Sequence, residues 1–160
     1  MNIYFAGPMF ANADLRYNEY LVRQIRSLSP DLDVYLPQEN GAINDKSAYA
    51  DSKMIALADT ERVVKSQLLV AVLEGLTIDP GVASEIGVAY AKEIPVIALY
   101  TDTRQQGADN AKKVAALQQT AENQFHYLNL YTVGLIKLNG RVVAQEADFL
   151  NAIKEFVLGN

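Results

Sequence analysis

Six consecutive apolar residues, Leu68-Leu69-Val70-Ala71-Val72-Leu73, constrain this chain more than any other stretch. No polar residue alternates within the run, so a strand formed here has no solvated face and must be covered on both sides. Strands of that kind belong to parallel sheets with helices packed above and below. A second run, Pro95-Val96-Ile97-Ala98-Leu99-Tyr100, has the same character. Two further segments read as strands: Asn2-Ile3-Tyr4-Phe5-Ala6, which stops at Gly7-Pro8, and Asp33-Val34-Tyr35-Leu36, which stops at Pro37.

Helical periods alternate with these strands. Leu15, Leu21, Val22, Ile25 and Leu28 recur at helical spacing after Asn12 and Asp14, either of which can cap, and the helix is expected to run to Ser29-Pro30. A second helix is expected over residues 47–66, carrying Met54, Leu57, Ala58, Val63 and Val64. Asp79 and Pro80 suit the N-cap and first position of a third. The alternation predicts a single domain over residues 1–160, an α/β, doubly wound, flavodoxin-like parallel sheet of four to five strands with helices on both faces. A ligand crevice is then expected beyond the carboxyl ends of the strands, where Gly7-Pro8, Gln38-Glu39-Asn40 and the loop over residues 74–79 all fall. Past Tyr100 the expectations are a loop to Gly107 and a helix over 109–124 with Val114, Ala115 and Leu117 inward. The aromatic segment Phe125-His126-Tyr127-Leu128-Asn129-Leu130-Tyr131 is assigned to no element. An Asn139-Gly140 turn follows, and a last helix over 145–158 places Phe149, Ile153, Phe156 and Val157 on one face.

Composition removes several chemistries. The chain has no cysteine, which excludes disulfides, thiolate nucleophiles and cysteine metal sites, and its one histidine, His126, excludes a multi-histidine centre. A formal charge of −5 argues against a nucleic-acid partner. Neither an 18-residue apolar run nor a basic leader occurs, so the expectation is a soluble, cytoplasmic protein with no membrane partner. The phosphate cradles G-x-x-x-x-G-K-[ST] and G-x-G-x-x-G and the nucleophile elbow G-x-S-x-G are also missing.

What remains is carboxylates. In Asp79-Pro80-Gly81-Val82-Ala83-Ser84-Glu85-Ile86-Gly87, Glu85 falls within the apolar stripe of Val82, Ile86 and Ala89, which aims a carboxylate at the sheet. A buried carboxylate requires donors around it or a chemical role. Gly81 and Gly87 beside it allow a ligand or backbone to approach closely. The plainer alternatives are a half-solvated Glu85 favoured by the helix N-terminus, a solvated Asp59 beside Glu61 and Arg62, and an Asp79 that only caps its helix. Two or three carboxylates around a crevice suit glycosyl chemistry, where one attacks the sugar carbon and another assists the leaving group.

These motifs, in their order and spacing, resemble the nucleoside 2-deoxyribosyltransferase family, whose members transfer 2-deoxyribose between nucleobases. Four elements carry the resemblance, from Ile3 to about Gly134: Ile3-Tyr4-Phe5-Ala6-Gly7-Pro8-Met9-Phe10, the aspartate at Asp59, a D-x-G-x-x-x-E motif at Asp79 to Glu85, and an N-L-x-x-x-G motif at Asn129 to Gly134. The resemblance implies that Glu85 is the nucleophile and that Tyr4 hydrogen-bonds it. It further implies a covalent deoxyribosyl-enzyme intermediate and net retention. Asp59 and Asp79 would hold the base edge and supply or relay a proton, with Gly7, Phe10, Gly81 and Tyr131 as further substrate contacts and Gln38, Glu39 or Asn40 at the base. Asn129 would reach into a neighbouring subunit's site and bind the sugar's hydroxyl end, which makes a homo-oligomer the expected assembly. No metal or organic cofactor is implied; the ligands are deoxynucleosides and nucleobases.

The chain departs from the family pattern at Gln67, where an aspartate is frequent, and at Pro80 and Val82, where small or hydroxyl residues are common. The alternatives are a 2′-deoxynucleoside 5′-monophosphate N-glycosidase and a non-catalytic nucleoside- or nucleotide-binding protein. Against the former, the first turn offers Gly7-Pro8-Met9-Phe10, in which proline removes an amide donor and two residues are apolar.

Overall fold

A computed structural model describes residues 1–45, 47, 49–106, 109–121 and 128–159. His126 and the neighbouring residues of the aromatic segment up to Tyr127 lie outside the described residues, as does the end of the helix expected to reach residue 124. In chain order the elements are β1 (Asn2–Ala6), α1 (Asn12–Arg26), β2 (Asp33–Tyr35), a 3-10 turn (Pro37–Glu39), α2 (Gly41–Asn44), α3 (Ser52–Lys65), β3 (Leu68–Val72), α4 (Pro80–Ala91) and β4 (Val96–Leu99). A second 3-10 turn (Thr103–Gln106) is followed by α5 (Ala111–Ala116), α6 (Leu130–Leu138), β5 (Gly140–Val143) and α7 (Glu146–Gly159).

The five strands form one sheet in the order β2-β1-β3-β4-β5 with every pairing parallel, the doubly wound flavodoxin-like arrangement. All five residues of β3, the central strand, are buried, as its unbroken apolar sequence requires. Alternation along β1 then divides the interior in two. Ile3 and Phe5 pack with Leu21, Val22 and Ile25 of α1 and with Phe149 and Ile153 of α7. Tyr4 and Ala6 face the other way, against Val63 of α3, Val82 and Ile86 of α4, and Ile136 of α6. Each such large side chain, fully removed from water, contributes ~1.5–3 kcal/mol.

Several sequence-based boundaries shift. Neither Asn12 nor Asp14 caps α1: the cap position is Ala11, and Asp14 accepts a hydrogen bond from the Ala11 N–H at 3.0 Å. The helix ends at Arg26, short of Ser29-Pro30. α3 begins at Ser52 rather than residue 47, where Asp51 accepts from the Met54 N–H at 2.8 Å. Of its apolar residues only Val63 is buried; Met54, Leu57 and Val64 are exposed. The helix expected over 109–124 is the single short α5, with Val114 and Ala115 exposed rather than inward.

The sequence reading missed α6 and β5. The Asn139-Gly140 pair, expected as a turn, forms the junction between them. Gly140 enters the sheet so close to β4 that a Cβ there would lie 1.9 Å from the Val96 carbonyl oxygen, which only glycine avoids. The departure at Gln67 is structural: its side-chain oxygen accepts from the Asn2 N–H at 2.7 Å and steadies the entry to β1.

Candidate active site

The order β2-β1-β3 puts the switch in strand direction of winding between β1 and β3, and the functional side chains converge there. Tyr4 on β1 is in register with Tyr35 on β2 and Leu69 on β3. Residues in register on parallel strands project to the same face, so the two tyrosine rings lie side by side with centroids 5.5 Å apart. On the same face, α4 runs back from the loop after β3. Asp79 starts it by accepting from the N–H groups of Gly81 and Val82 at 2.9 and 3.2 Å, and Pro80 takes the first helical position. With Val82, Ile86 and Ala89 buried on the sheet, Glu85 is carried inward between them.

The Tyr4 hydroxyl donates to Glu85 Oε1 at 2.5 Å. Tyr4 itself is fully buried, and burial beside Glu85 pushes its hydroxyl well above the usual tyrosine range, so it remains a neutral donor. The Glu85 carboxyl is pushed up to about 7, chiefly by burial. The Tyr4 hydrogen bond acts in the opposite direction, and the charges of Asp59 and Asp79 reinforce the rise. Asp59, on α3, is also shifted upward by burial, an effect offset by its interaction with the Tyr35 hydroxyl. Arg62, one turn beyond Asp59, lies over the Tyr35 ring at 4.8 Å from its centroid.

These groups bound a cavity of about 290 Å³. One wall comes from the β1–α1 turn and the start of α4, through Gly7, Met9, Phe10, Asp79, Gly81 and Val82. The other comes from β2, the Pro37 turn, α2 and α3, through Tyr35, Pro37, Ile43, Asn44, Ile55 and Asp59, and Glu85 lines the cavity as well. Gly7 is required by close packing: a Cβ there would lie 2.8 Å from Asn18 Oδ1 and 3.0 Å from the Phe5 ring. A cavity of this size, mostly apolar with a few converging polar groups, fits a small organic ligand. No lysine, arginine or histidine lies among the described residues that line it.

Glu85, Asp59, Asp79, Gly7, Phe10 and Gly81 therefore share one cavity, with Tyr4 beneath Glu85. Asn40 does not line it. Its side chain accepts from the Ala42 N–H at 3.2 Å and donates to the Tyr35 hydroxyl at 2.9 Å, so it orients a wall residue. Asn129 and Tyr131 stand at the start of α6, off their own chain's cavity. Asn129 Oδ1 accepts from the Tyr131 and Thr132 N–H groups at 3.0 and 3.1 Å, and the Tyr131 side chain is exposed. Sequence reasoning missed Tyr35, Asn44 and Arg62. Only Tyr35 carried a usable signal, as the aromatic end of a strand paired with Tyr4.

Chemically, the arrangement offers a carboxylate held by a neutral phenol, a second carboxyl group on the facing wall, and an apolar space between them. Such a pair can supply a nucleophile and an acid at one centre. Among the described residues no group of three or more histidine, cysteine, aspartate or glutamate side chains is placed to hold a metal ion, and no helix is long and apolar enough to cross a membrane.

Comparison with known proteins identifies relatives of this arrangement. The family model described as nucleoside 2-deoxyribosyltransferase matches residues 3–152. A conserved protein from Enterococcus faecalis V583 is 74% identical, with a TM-score of 0.92 and 98% of each chain covered. A 2-deoxyribosyltransferase from the psychrotolerant bacterium Bacillus psychrosaccharolyticus shares the fold at 16% identity and a TM-score of 0.66, covering 94% of this chain and 91% of its own. So does one from Leishmania mexicana, at 19% identity and a TM-score of 0.64, covering 96% and 97%. Searching curated proteins gives no match.

Proposed function

Because the chain belongs to the nucleoside 2-deoxyribosyltransferase family, we propose that it exchanges the base of a 2′-deoxynucleoside through a covalent deoxyribosyl-Glu85 intermediate. The observation that carries this reading is the 2.5 Å hydrogen bond from Tyr4 to Glu85, whose side chain lines the cavity. Ionised Glu85 attacks C1′, a C–O bond forms as the C1′–N bond breaks, and the departing base takes a proton from Asp59. The second base then attacks C1′ from the face the first one left, its N–H proton returns to the site carboxylate, and Glu85 is released. Two inversions give net retention.

Tyr4 orients the nucleophile and lowers the cost of its ionisation. Asp79 keeps one oxygen in the cap of α4 and presents the other to the bound nucleoside. Asp59 supplies or relays the proton, a contribution of roughly 10²–10⁴-fold. Three carboxylates with no cation among the described lining residues favour a neutral nucleoside over a 5′-monophosphate, whose charge they would repel. On this reading Asn129 and Tyr131, exposed and not lining their own cavity, complete the site of a second copy.

Incubation with 2′-deoxyinosine and free adenine or cytosine, followed by chromatography, tests the reading. Exchanged deoxynucleoside with matching hypoxanthine supports it. Free hypoxanthine without a new nucleoside marks hydrolysis, and an absence of both removes the transfer reaction.

A further inference from the structure

We propose that the wall formed by β2, α2 and α3 selects nucleobases carrying an exocyclic amino group, with Asn44 as a specificity-determining residue. The inference rests on the reading of the cavity as a nucleoside site and adds which bases it takes.

Asn44 Nδ2 donates to the Pro37 carbonyl at 2.8 Å and to the Asn40 carbonyl at 3.0 Å. Both amide protons are thus committed, and the side-chain polar atom that this cavity-lining residue has left for a ligand is Oδ1, an acceptor. Asn40 is committed as well, accepting from the Ala42 N–H and donating to the Tyr35 hydroxyl. The Tyr35 oxygen therefore already accepts, and its hydroxyl interacts with the Asp59 carboxyl group. Asp79 uses one oxygen in capping and has only acceptor capacity in the other.

The polar side-chain atoms left for a ligand on the β2, α2 and α3 wall are consequently acceptors, the Asn44 carbonyl and the Asp59 carboxylate, with the carboxylates of Asp79 and Glu85 in the same cavity. One donor exists when Asp59 is protonated, and that proton goes to the ring nitrogen of the leaving base. The remaining wall is apolar, through Ile43, Ile55 and the Tyr35 ring, which suits a flat heterocycle. An amino group can give two N–H bonds to such a wall, one to Asn44 Oδ1 and one to a carboxylate oxygen. A carbonyl in its place sets lone pair against lone pair and loses its hydration without replacement. Sites built to receive an N–H discriminate strongly against analogues that lack it. Because Asn44 is solvent-exposed, the expected discrimination here is the smaller figure of about tenfold to a hundredfold.

Two pairs of bases isolate the substituent: adenine against hypoxanthine, and cytosine against uracil. Their dissociation constants are measured by calorimetry on the intact protein without a sugar donor, and their kcat/KM values as acceptors are measured in the exchange reaction. The amino member is expected to win by about tenfold or more in both pairs, and Asn44→Ala is expected to narrow the ratio severalfold, through KM rather than kcat. Equal affinities, preference for the oxo member, or binding of neither would overturn the proposal. A preference that Asn44→Ala leaves unchanged would overturn the role of Asn44. Discrimination in binding without any exchange would leave the proposal standing and remove the transfer reaction, so the two failures are distinguishable.

Discussion

Tyr4 and Glu85 are 81 positions apart in sequence and meet at 2.5 Å, hydroxyl to carboxylate, across the interface between β1 and α4. The contact joins the two halves of the winding at the point where ligands enter folds of this type. It also sets opposing pressures on one group: burial raises the Glu85 carboxyl, while the phenol stabilises its anion.

Replacing Glu85 with glutamine removes the nucleophile while keeping the hydrogen-bond acceptor. Transfer is expected to fall to the limit of detection. Stability should change in the opposite sense. A carboxyl raised from 4.5 to about 7 in the folded protein holds its proton more tightly there than in the unfolded chain, so stability is lost as pH rises between those values. The Glu85→Gln protein should therefore melt above the parent at about pH 8, by on the order of 1–3 kcal/mol, and the difference should shrink toward about pH 4. Thermal unfolding across that range checks it; a variant less stable at about pH 8 would contradict the assigned burial.

Tyr4→Phe removes the bond that opposes the upward shift. The folded core should persist, because the ring is buried among Leu69, Ile86 and other apolar neighbours. The acid limb of the kcat/KM profile, governed by ionisation of Glu85 near 7 and falling about tenfold per pH unit below it, should move to higher pH. An unmoved limb with reduced activity would mean that Tyr4 acts only in packing.

The legible part of this molecule was its apolar grammar. Leu68 to Leu73 announced a strand covered on both faces, and the Asp79-Pro80 cap fixed the phase of α4 closely enough to aim Glu85 inward. The rest was hidden by tertiary effects. Met54, Leu57 and Val64 have helical spacing, yet α3 leaves them in solvent in this single chain. Asn139-Gly140 reads as a turn, but Gly140 is there because β5 passes against the Val96 carbonyl. Tyr35 and Asn44 gained their places from strand register and from a four-residue helix, neither of which has a periodic signature.

Gly140→Ala tests that register. With a Cβ destined for 1.9 Å from backbone, no side chain can yield, and the loss should be about 3 kcal/mol or more, read by denaturant titration. A change below about 1 kcal/mol would mean that β5 sits farther from β4.

Asn129→Ala should cost about 1 kcal/mol through loss of the α6 cap. If Asn129 also serves a second copy's site, the variant should lose transfer beyond that modest destabilisation. Mixing it with Glu85→Ala should then restore part of the activity in mixed oligomers, which native mass spectrometry can count. No recovery in demonstrated mixed oligomers would assign Asn129 to capping alone.

The proposed transfer depends on a covalent bond between Glu85 and the sugar. Acid quenching of the protein with 2′-deoxyinosine and no acceptor base, followed by peptide mass mapping, should find a deoxyribosyl adduct on the α4 peptide at Glu85 that disappears when adenine is added before the quench. Consumption of the nucleoside with Glu85 unmodified at every time sampled, or an adduct on another residue, would contradict it.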